Sequence, residues 1–407
     1  MIAQSVRPVR ARTASRPWRL AAVALLGLVV AACQPTVNRQ GQIGGETRTQ
    51  PSEPAQPAGP PQRVGLLVPM TGNAAAVGVD LARAAELALI ERGNDRLELL
   101  PRDTQSTQEG AVVAARQLLE QEDVDVILGP LFGSSAERVA ELARARGITV
   151  LSFSSQGSIA GDGLFVLGYR PEEQVERVTL FALGRGYARA AALVPDDVYG
   201  RTAVDALRAT LRERLGSELV AVEFYARDGS DAPARIESLR QRGSRGSDLP
   251  AFDTLLLADG GARLRAVAPQ LTDAGIDPVD VRMLGTMLWP DDPATLAEPA
   301  LAGGWYAGVA DAATREFRNR FRNVFGTDPH PLAVLGYDGL LIAADAATDR
   351  LTARSRIVDG RGYQGEGGII RLLPTGVAEH GLAVFELTPN GPVVIDPAPV
   401  RFDQPAS

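Results

Sequence analysis

Between Val64 and Ser152 short apolar runs alternate with segments of helical period, and few folds tolerate that order. VGLLVP (Val64 to Pro69) is apolar throughout, as a strand buried on both faces must be, and Pro and Gly end it. Leu81, Ala84, Ala85 and Ala88 then repeat at helical spacing with Asp80, Arg83 and Glu86 between them. Leu97 to Leu100, Val124 to Leu128 and Ile148 to Ser152 read as further strands. Helices fall on Ala111, Ala114, Ala115 and Leu118 and on about Ser135 to Arg146. The alternation predicts a parallel sheet with helices on both faces.

The pattern resumes after Pro171, with strands at Ala190 to Val194, Leu219 to Tyr225, Thr254 to Leu257 and Val281 to Leu284. Helices are expected near Glu172 to Leu183, Thr202 to Leu215, Ala232 to Arg242 and Ala262 to Ala274. Beyond them come a crossing segment, GGWYAGVA from Gly303, helices near Thr314 to Phe325 and Leu332 to Ala347, and strands near Ile369 and Val384. One sheet of about nine or more strands is less economical than two smaller ones. The expected architecture is therefore α/β with two doubly wound, Rossmann-like lobes.

The start of the chain obeys different physics. Arg7, Arg10, Arg12, Arg16 and Arg19 precede the apolar run LAAVALLGLVVAAC (Leu20 to Cys33), with no acid among the first nineteen residues. This is the order of a secretory signal, too short for a spanning helix. Its end, Val30-Ala31-Ala32-Cys33, resembles the bacterial lipobox, which implies removal of residues 1–32 and lipidation of Cys33. Cys33 is the only cysteine, so no intrachain disulfide can form. Gln34 to Gln62 is rich in Pro, Gln, Gly, Thr and Ser with almost no large apolar residue, and reads as a disordered tether. Gln34 stands where an inner-membrane retention signal would carry Asp, so the resemblance implies the periplasmic face of the outer membrane.

Losing five Arg takes the formal charge from −7 to −12, and an acidic body speaks against a nucleic-acid surface. Ligands of open parallel sheets bind beyond the carboxyl ends of the strands. That rule selects the loops Pro69 to Gly78, Pro101 to Thr107, Gly129 to Ser135 and Ser152 to Ser158 in the first half. In the second it selects Pro195 to Gly200, Ala226 to Ser230, Ala258 to Gly261 and Gly285 to Pro290. In GPLFGSS (Gly129 to Ser135), Ser134 and Glu137 fit an S-x-x-E capping box, and free amides there could hold an anion. SFSSQGS (Ser152 to Ser158) is a polar run directly after a strand.

Catalytic and cofactor signals are few. His330 and His380 are the only histidines, and no G-x-S-x-G or Walker A sequence occurs. His330, between Pro329 and Pro331, reads as part of a turn, and GEGG (Gly365 to Gly368) as a turn before a strand. The expectation is no enzyme, no cofactor and no metal.

VGLLVPMTGNAAAVG, Asp103-Thr104, VILGPLFGSS, GITVLSFSS, ALVPDDVYG and the late GYDGL resemble, in that order, the type I periplasmic binding proteins of the leucine/isoleucine/valine-binding class. Within it the lipobox, GLLVP, LGPL and GEGGIIRLLPTG followed by LAVFEL are most similar to the penicillin-binding protein activator lipoproteins. The resemblance implies crossovers near Gly168-Tyr169-Arg170, Gly303 to Val309 and Gly365 to Leu373. The lobes would be 63–169 with 310–366, and 170–309 with 367–400. It places a ligand cleft at Phe132, Gly133, Ser134, Ser154, Ser155, Gln156 and Tyr199. The class's wall aromatic falls at Val77 and its ammonium-binding acid at Met287, with Asp259 a candidate replacement. Without those two groups, leucine-like amino acids are not expected ligands. The function implied is activation of a peptidoglycan synthase by an outer-membrane lipoprotein; the alternative is a transporter's receptor for an amino acid or another small polar molecule.

Overall fold

The structure, a computed structural model, describes residues 60–242 and 250–402. The leader, Cys33 and the tether up to Gly59 lie outside the described residues.

β1 (Gln62–Val68), β2 (Leu97–Asp103), β3 (Val126–Leu128), β4 (Thr149–Ser152) and β5 (Leu164–Val166) form a parallel sheet in the order β2-β1-β3-β4-β5. Helices α1 (Ala75–Arg92), α2 (Gln108–Glu120) and α3 (Gly133–Arg144) connect the first four strands. The buried face of α1 is Leu81, Ala84, Ala85 and Ala88, as the spacing predicts. The strand order reverses between β1 and β3, so their carboxyl ends flank the crevice of the first lobe.

The second lobe starts with α4 (Pro171–Gly184) and continues through β6 (Ala190–Pro195), α5 (Val198–Leu215), β7 (Ala221–Tyr225) and α6 (Ala232–Arg242). β8 (Thr254–Leu256), α7 (Gly261–Asp273), β9 (Arg282–Gly285), the short α8 (Pro293–Leu296) and β10 (Trp305–Gly308) follow. α9 (Asp311–Phe325) and α10 (Val334–Ala346) come next, and α10 lies on α1, β1 and β3 of the first lobe. After α11 (Ala353–Ile357), a small antiparallel sheet forms from β11 (Tyr363–Gly365), β12 (Gly368–Leu372) and β13 (Ala378–His380), with GEGG as its first turn. β14 (Ala383–Thr388) and β15 (Gly391–Asp396) then complete the second sheet, ordered β15-β14-β10-β9-β8-β6-β7.

Two crossover positions differ from expectation. Trp305 to Gly308, expected inside a crossover, is a strand paired with β9 and β14; its four residues are buried, and the chain leaves the second sheet only after Gly308. Residues 367–381, expected in the second lobe, form most of the small sheet instead: Val377 bridges Val166 at the edge of β5, while Ala378 and His380 bond Arg170 and Glu173 at the start of α4. The return to the second sheet falls at Leu382, just before β14.

Apolar clusters cover both faces of each sheet. One runs through the joint, uniting Val68 and Leu81 of the first lobe with Tyr169, Val175 and Ala192. Burial at about 25 cal/mol per Å² of apolar surface makes this shared core the main force holding the lobes together.

Candidate functional site

A cavity of about 300 Å³ opens where the loops after β3, β4 and β6 meet the start of α4. Phe132, Gly133, Ser154, Ser155, Gln156 and Tyr199, all expected in the cleft, line it together. Ser154 is buried, and a relay fixes it: Ser152 Oγ donates to the Pro130 carbonyl at 2.8 Å, and the Ser154 amide donates to Ser152 Oγ at 3.1 Å. Ser154 Oγ in turn accepts the Gln156 amide at 3.1 Å. A polar loop thus enters the cavity with its geometry set by its own hydrogen bonds.

The expected capping box is absent. α3 begins at Gly133, and its N-cap is Phe132, which offers no side-chain acceptor; Ser134 and Glu137 are inside the helix. The physical reason is the glycine: with no Cβ at 133, the first turn begins against Gln156 Oε1 while that side chain stays where it is. No side chain caps the first turn, and Gly133 and the polar loop lie on the cavity wall. Ser134 itself does not line the cavity.

On the opposite wall Asp197 caps α5 by accepting the Gly200 amide at 2.9 Å, which fixes Tyr199 one residue earlier. The Tyr199 hydroxyl donates to Gln174 Oε1 at 3.4 Å, and burial raises its pKa above the ordinary tyrosine value. Gln174 also accepts the Met287 amide at 2.8 Å and donates to the Tyr169 carbonyl at 3.1 Å. This buried glutamine, which nothing in the sequence singles out, joins the first crossover, the β6 loop and the β9 loop.

Glu172, also overlooked, reaches the same cavity from the first turn of α4. Its Oε2 is buried without a hydrogen-bond partner, and the nearest cation, Arg170 Nη1, is 4.0 Å away. Only the pairing of a crossover with the cleft, a tertiary fact, reveals it.

Three expected residues lie elsewhere. Val77 sits in the first turn of α1, packed on the core. Met287 borders a different cavity. Asp259 is 1% exposed and already satisfied: Arg263 Nη2 and Nε donate to it at 2.6 Å each, Gly260 N at 2.8 Å, and the Tyr225 hydroxyl donates as well. It has no free oxygen for a ligand ammonium. His330 takes the turn role foreseen, its Nδ1 accepting the Leu332 amide at 3.1 Å. Among the described residues no group of His, Cys, Asp and Glu could hold a metal ion, and no helix is long and apolar enough to cross a membrane.

A family model described as periplasmic binding protein matches residues 61–392. Solved structures with this fold include a leucine-binding protein from Thermotoga maritima, 18% identical, with TM-score 0.61 over 83% of this chain and 98% of that one. A branched-chain amino acid transporter's periplasmic ligand-binding protein from Burkholderia xenovorans is 18% identical, with TM-score 0.67 over 82% and 94%. A transporter solute-binding protein from R. palustris, in complex with 4-hydroxybenzoate, is 18% identical, with TM-score 0.64 over 85% and 97%. An uncharacterized protein of Rickettsia prowazekii is 26% identical over 220 residues, and the match spans 53% of this chain and 57% of that curated relative's length. These likenesses agree with the two-lobed fold, and by the match over 61–392 the chain belongs to the periplasmic binding protein family.

Proposed function

We propose that the chain is a periplasmic solute-binding receptor whose cleft takes a small ligand carrying both an anionic and a cationic group. One observation carries this reading: the cavity that receives the start of α3 also holds a Glu172 oxygen that no hydrogen bond satisfies and that only Arg170, at 4.0 Å, approaches. A buried carboxylate oxygen without a donor is costly, and a ligand ammonium would relieve it. Helix-start amides and Ser154 suit a carboxylate. The fold relatives, one named a leucine-binding protein and one a solute-binding protein in complex with 4-hydroxybenzoate, support a carboxylate ligand. Glu172 adds a demand that a benzoate does not meet, and it provides the acid that Met287 does not.

Calorimetry with a panel of zwitterionic amino acids and of benzoates tests this. Zwitterions should bind, and Glu172→Gln should weaken them at least tenfold while leaving benzoates no weaker. Benzoate binding indifferent to Glu172→Gln, with no zwitterion bound, would overturn the reading.

The same proposal places the receptor on a lipid anchor at Cys33, at the periplasmic face of the outer membrane, and divides the lobes at 63–169 with 310–381 and 170–309 with 382–400. Palmitate labelling that survives Cys33→Ala would remove the anchor. Activation of a peptidoglycan synthase rests on the resemblance of GEGGIIRLLPTG and its flanks, and the named relatives support the receptor reading over it. Recovery of a synthase from envelope extracts on the purified chain would reverse that order.

A further inference from the structure

A second cavity, of about 320 Å³, lies beyond Met287 and is bordered by the β9 loop, the end of β10, α9 and the turn before α10. None of its lining residues lines the first cleft, and Gln174, holding Met287 and Tyr199, stands between the two.

Its walls are chiefly apolar. The Tyr306 and Phe385 rings are stacked, with centroids 4.9 Å apart and planes 6° from parallel, and Phe317, Val334 and Met287 complete the surface. The charges at its mouth do not balance. Asp311 has Arg318 at 3.7 Å, whereas among the described residues the exposed Asp291 carboxyl has no ion pair and no hydrogen bond, with only the charge of His330 acting on it. Desolvation lifts the Asp291 carboxyl above its ordinary value, and His330 draws it down in part. The other titratable groups on the lining are His330, whose Nδ1 is occupied by the Leu332 amide, and Tyr306, whose hydroxyl burial and Asp311 raise.

Aromatic faces carry negative quadrupole charge and attract cations within about 6 Å of a ring centroid. An exposed carboxylate without an ion pair at the mouth of an aromatic-floored cavity favours the same sign of charge. We propose that this cavity is a second ligand site, one that takes an organic amine with an apolar or aromatic body of about ten non-hydrogen atoms. The ammonium group pairs with Asp291 and the body lies against Tyr306 and Phe385. Both lobes contribute walls, Phe317 and Val334 from one and Tyr306 and Phe385 from the other, so an amine seated here also bears on the angle between them. The site does not depend on what the first cleft binds.

The test is titration of the purified full-length chain with phenethylamine, 3-phenylpropionate and 2-phenylethanol, followed by calorimetry and by the fluorescence of Trp289, whose ring is 6.2 Å from that of Tyr306. Phenethylamine should bind at least tenfold more tightly than the other two, and Asp291→Asn should abolish that preference. A cavity-filling Val309→Trp variant should exclude all three. The proposal is overturned by tighter binding of 3-phenylpropionate, which would make Arg318 and His330 the reading groups, by an amine preference that survives Asp291→Asn, or by no binding of the amine.

Discussion

Gln174 Oε1 accepts the backbone N–H of Met287 at 2.8 Å, a bond between residues 113 positions apart that ties the first turn of α4 to the loop after β9. The same side chain holds the Tyr169 carbonyl and the Tyr199 hydroxyl, so one buried amide meets three segments of the interlobe region. Its removal leaves a half-buried N–H and a buried C=O unpaired, the latter worth about 1–3 kcal/mol and the former less. Gln174→Ala should lower the urea midpoint by an amount corresponding to a loss of about 2 kcal/mol. An unchanged midpoint would mean that water replaces the amide without penalty.

Gly133→Ala separates the cleft from the fold. The added Cβ overlaps the far end of the Gln156 side chain, and that end can swing aside. The direction it can take is into the cavity, since Gln156 already lines it. The melting temperature should therefore move little, while calorimetric affinity for any ligand of the cleft falls at least tenfold. Equal affinity in the variant would place the ligand away from the start of α3.

How much of this was legible in the sequence follows from the range of the forces involved. Strands such as β1 and β6 announce themselves because a strand buried on both faces must be apolar at every position, which is local information. The strand-end rule draws on the same local information, but it selects eight loops, of which only those after β3, β4 and β6 line the cavity. β10 reads as a crossover in the sequence because Trp305-Tyr306-Ala307-Gly308, though as apolar as a strand, sits beside Gly303 and Gly304, which look like a joint. The capping box is absent because Gly133 starts the helix before Ser134, close against Gln156, an approach that no local pattern shows. Asp259 is the instructive error. An unassigned acid at a strand end looks available until Arg263, one helical turn later, is seen to take it. Glu172 and Gln174 were invisible, because their meaning comes from loops that fold against them from far along the chain.

The Asp259 arrangement gives a third prediction. Arg263→Ala would leave a carboxylate that is 1% exposed with only the Tyr225 hydroxyl and the Gly260 amide as donors. Breaking a buried pair on one side costs about 3–5 kcal/mol, and Arg263, one-third exposed, belongs toward or below the low end of that range. Chemical denaturation should show a loss of about 2–3 kcal/mol. Asp259→Asn, tested against ligands of the cleft, should leave their affinity within twofold; a large loss would return Asp259 to the binding site.

Asp338 supplies a pH dependence whose sign can be worked out. It lies on α10, 5% exposed, and accepts the Glu366 amide at 2.7 Å and the Gly367 amide at 3.0 Å, so it pins the β11–β12 turn to the first lobe. Desolvation pushes its carboxyl up to about 7; the Gly367 and Glu366 amides oppose that rise, the Glu366 charge adds to it and His380 reduces it. The folded chain therefore keeps a proton on Asp338 at pH values where the unfolded chain, near the ordinary carboxylate value of 3.8, has lost it. Stability from this group is complete below about pH 4 and declines as pH rises toward 7, with a slope of at most about 1.4 kcal/mol per pH unit. Asp338→Asn keeps a neutral side chain at every pH and should flatten that decline. Denaturation midpoints at pH 4.5, 5.5, 6.5 and 7.5 check it: parallel profiles for the two proteins would mean that Asp338 is ionised in the fold throughout, its charge carried by the two amides alone.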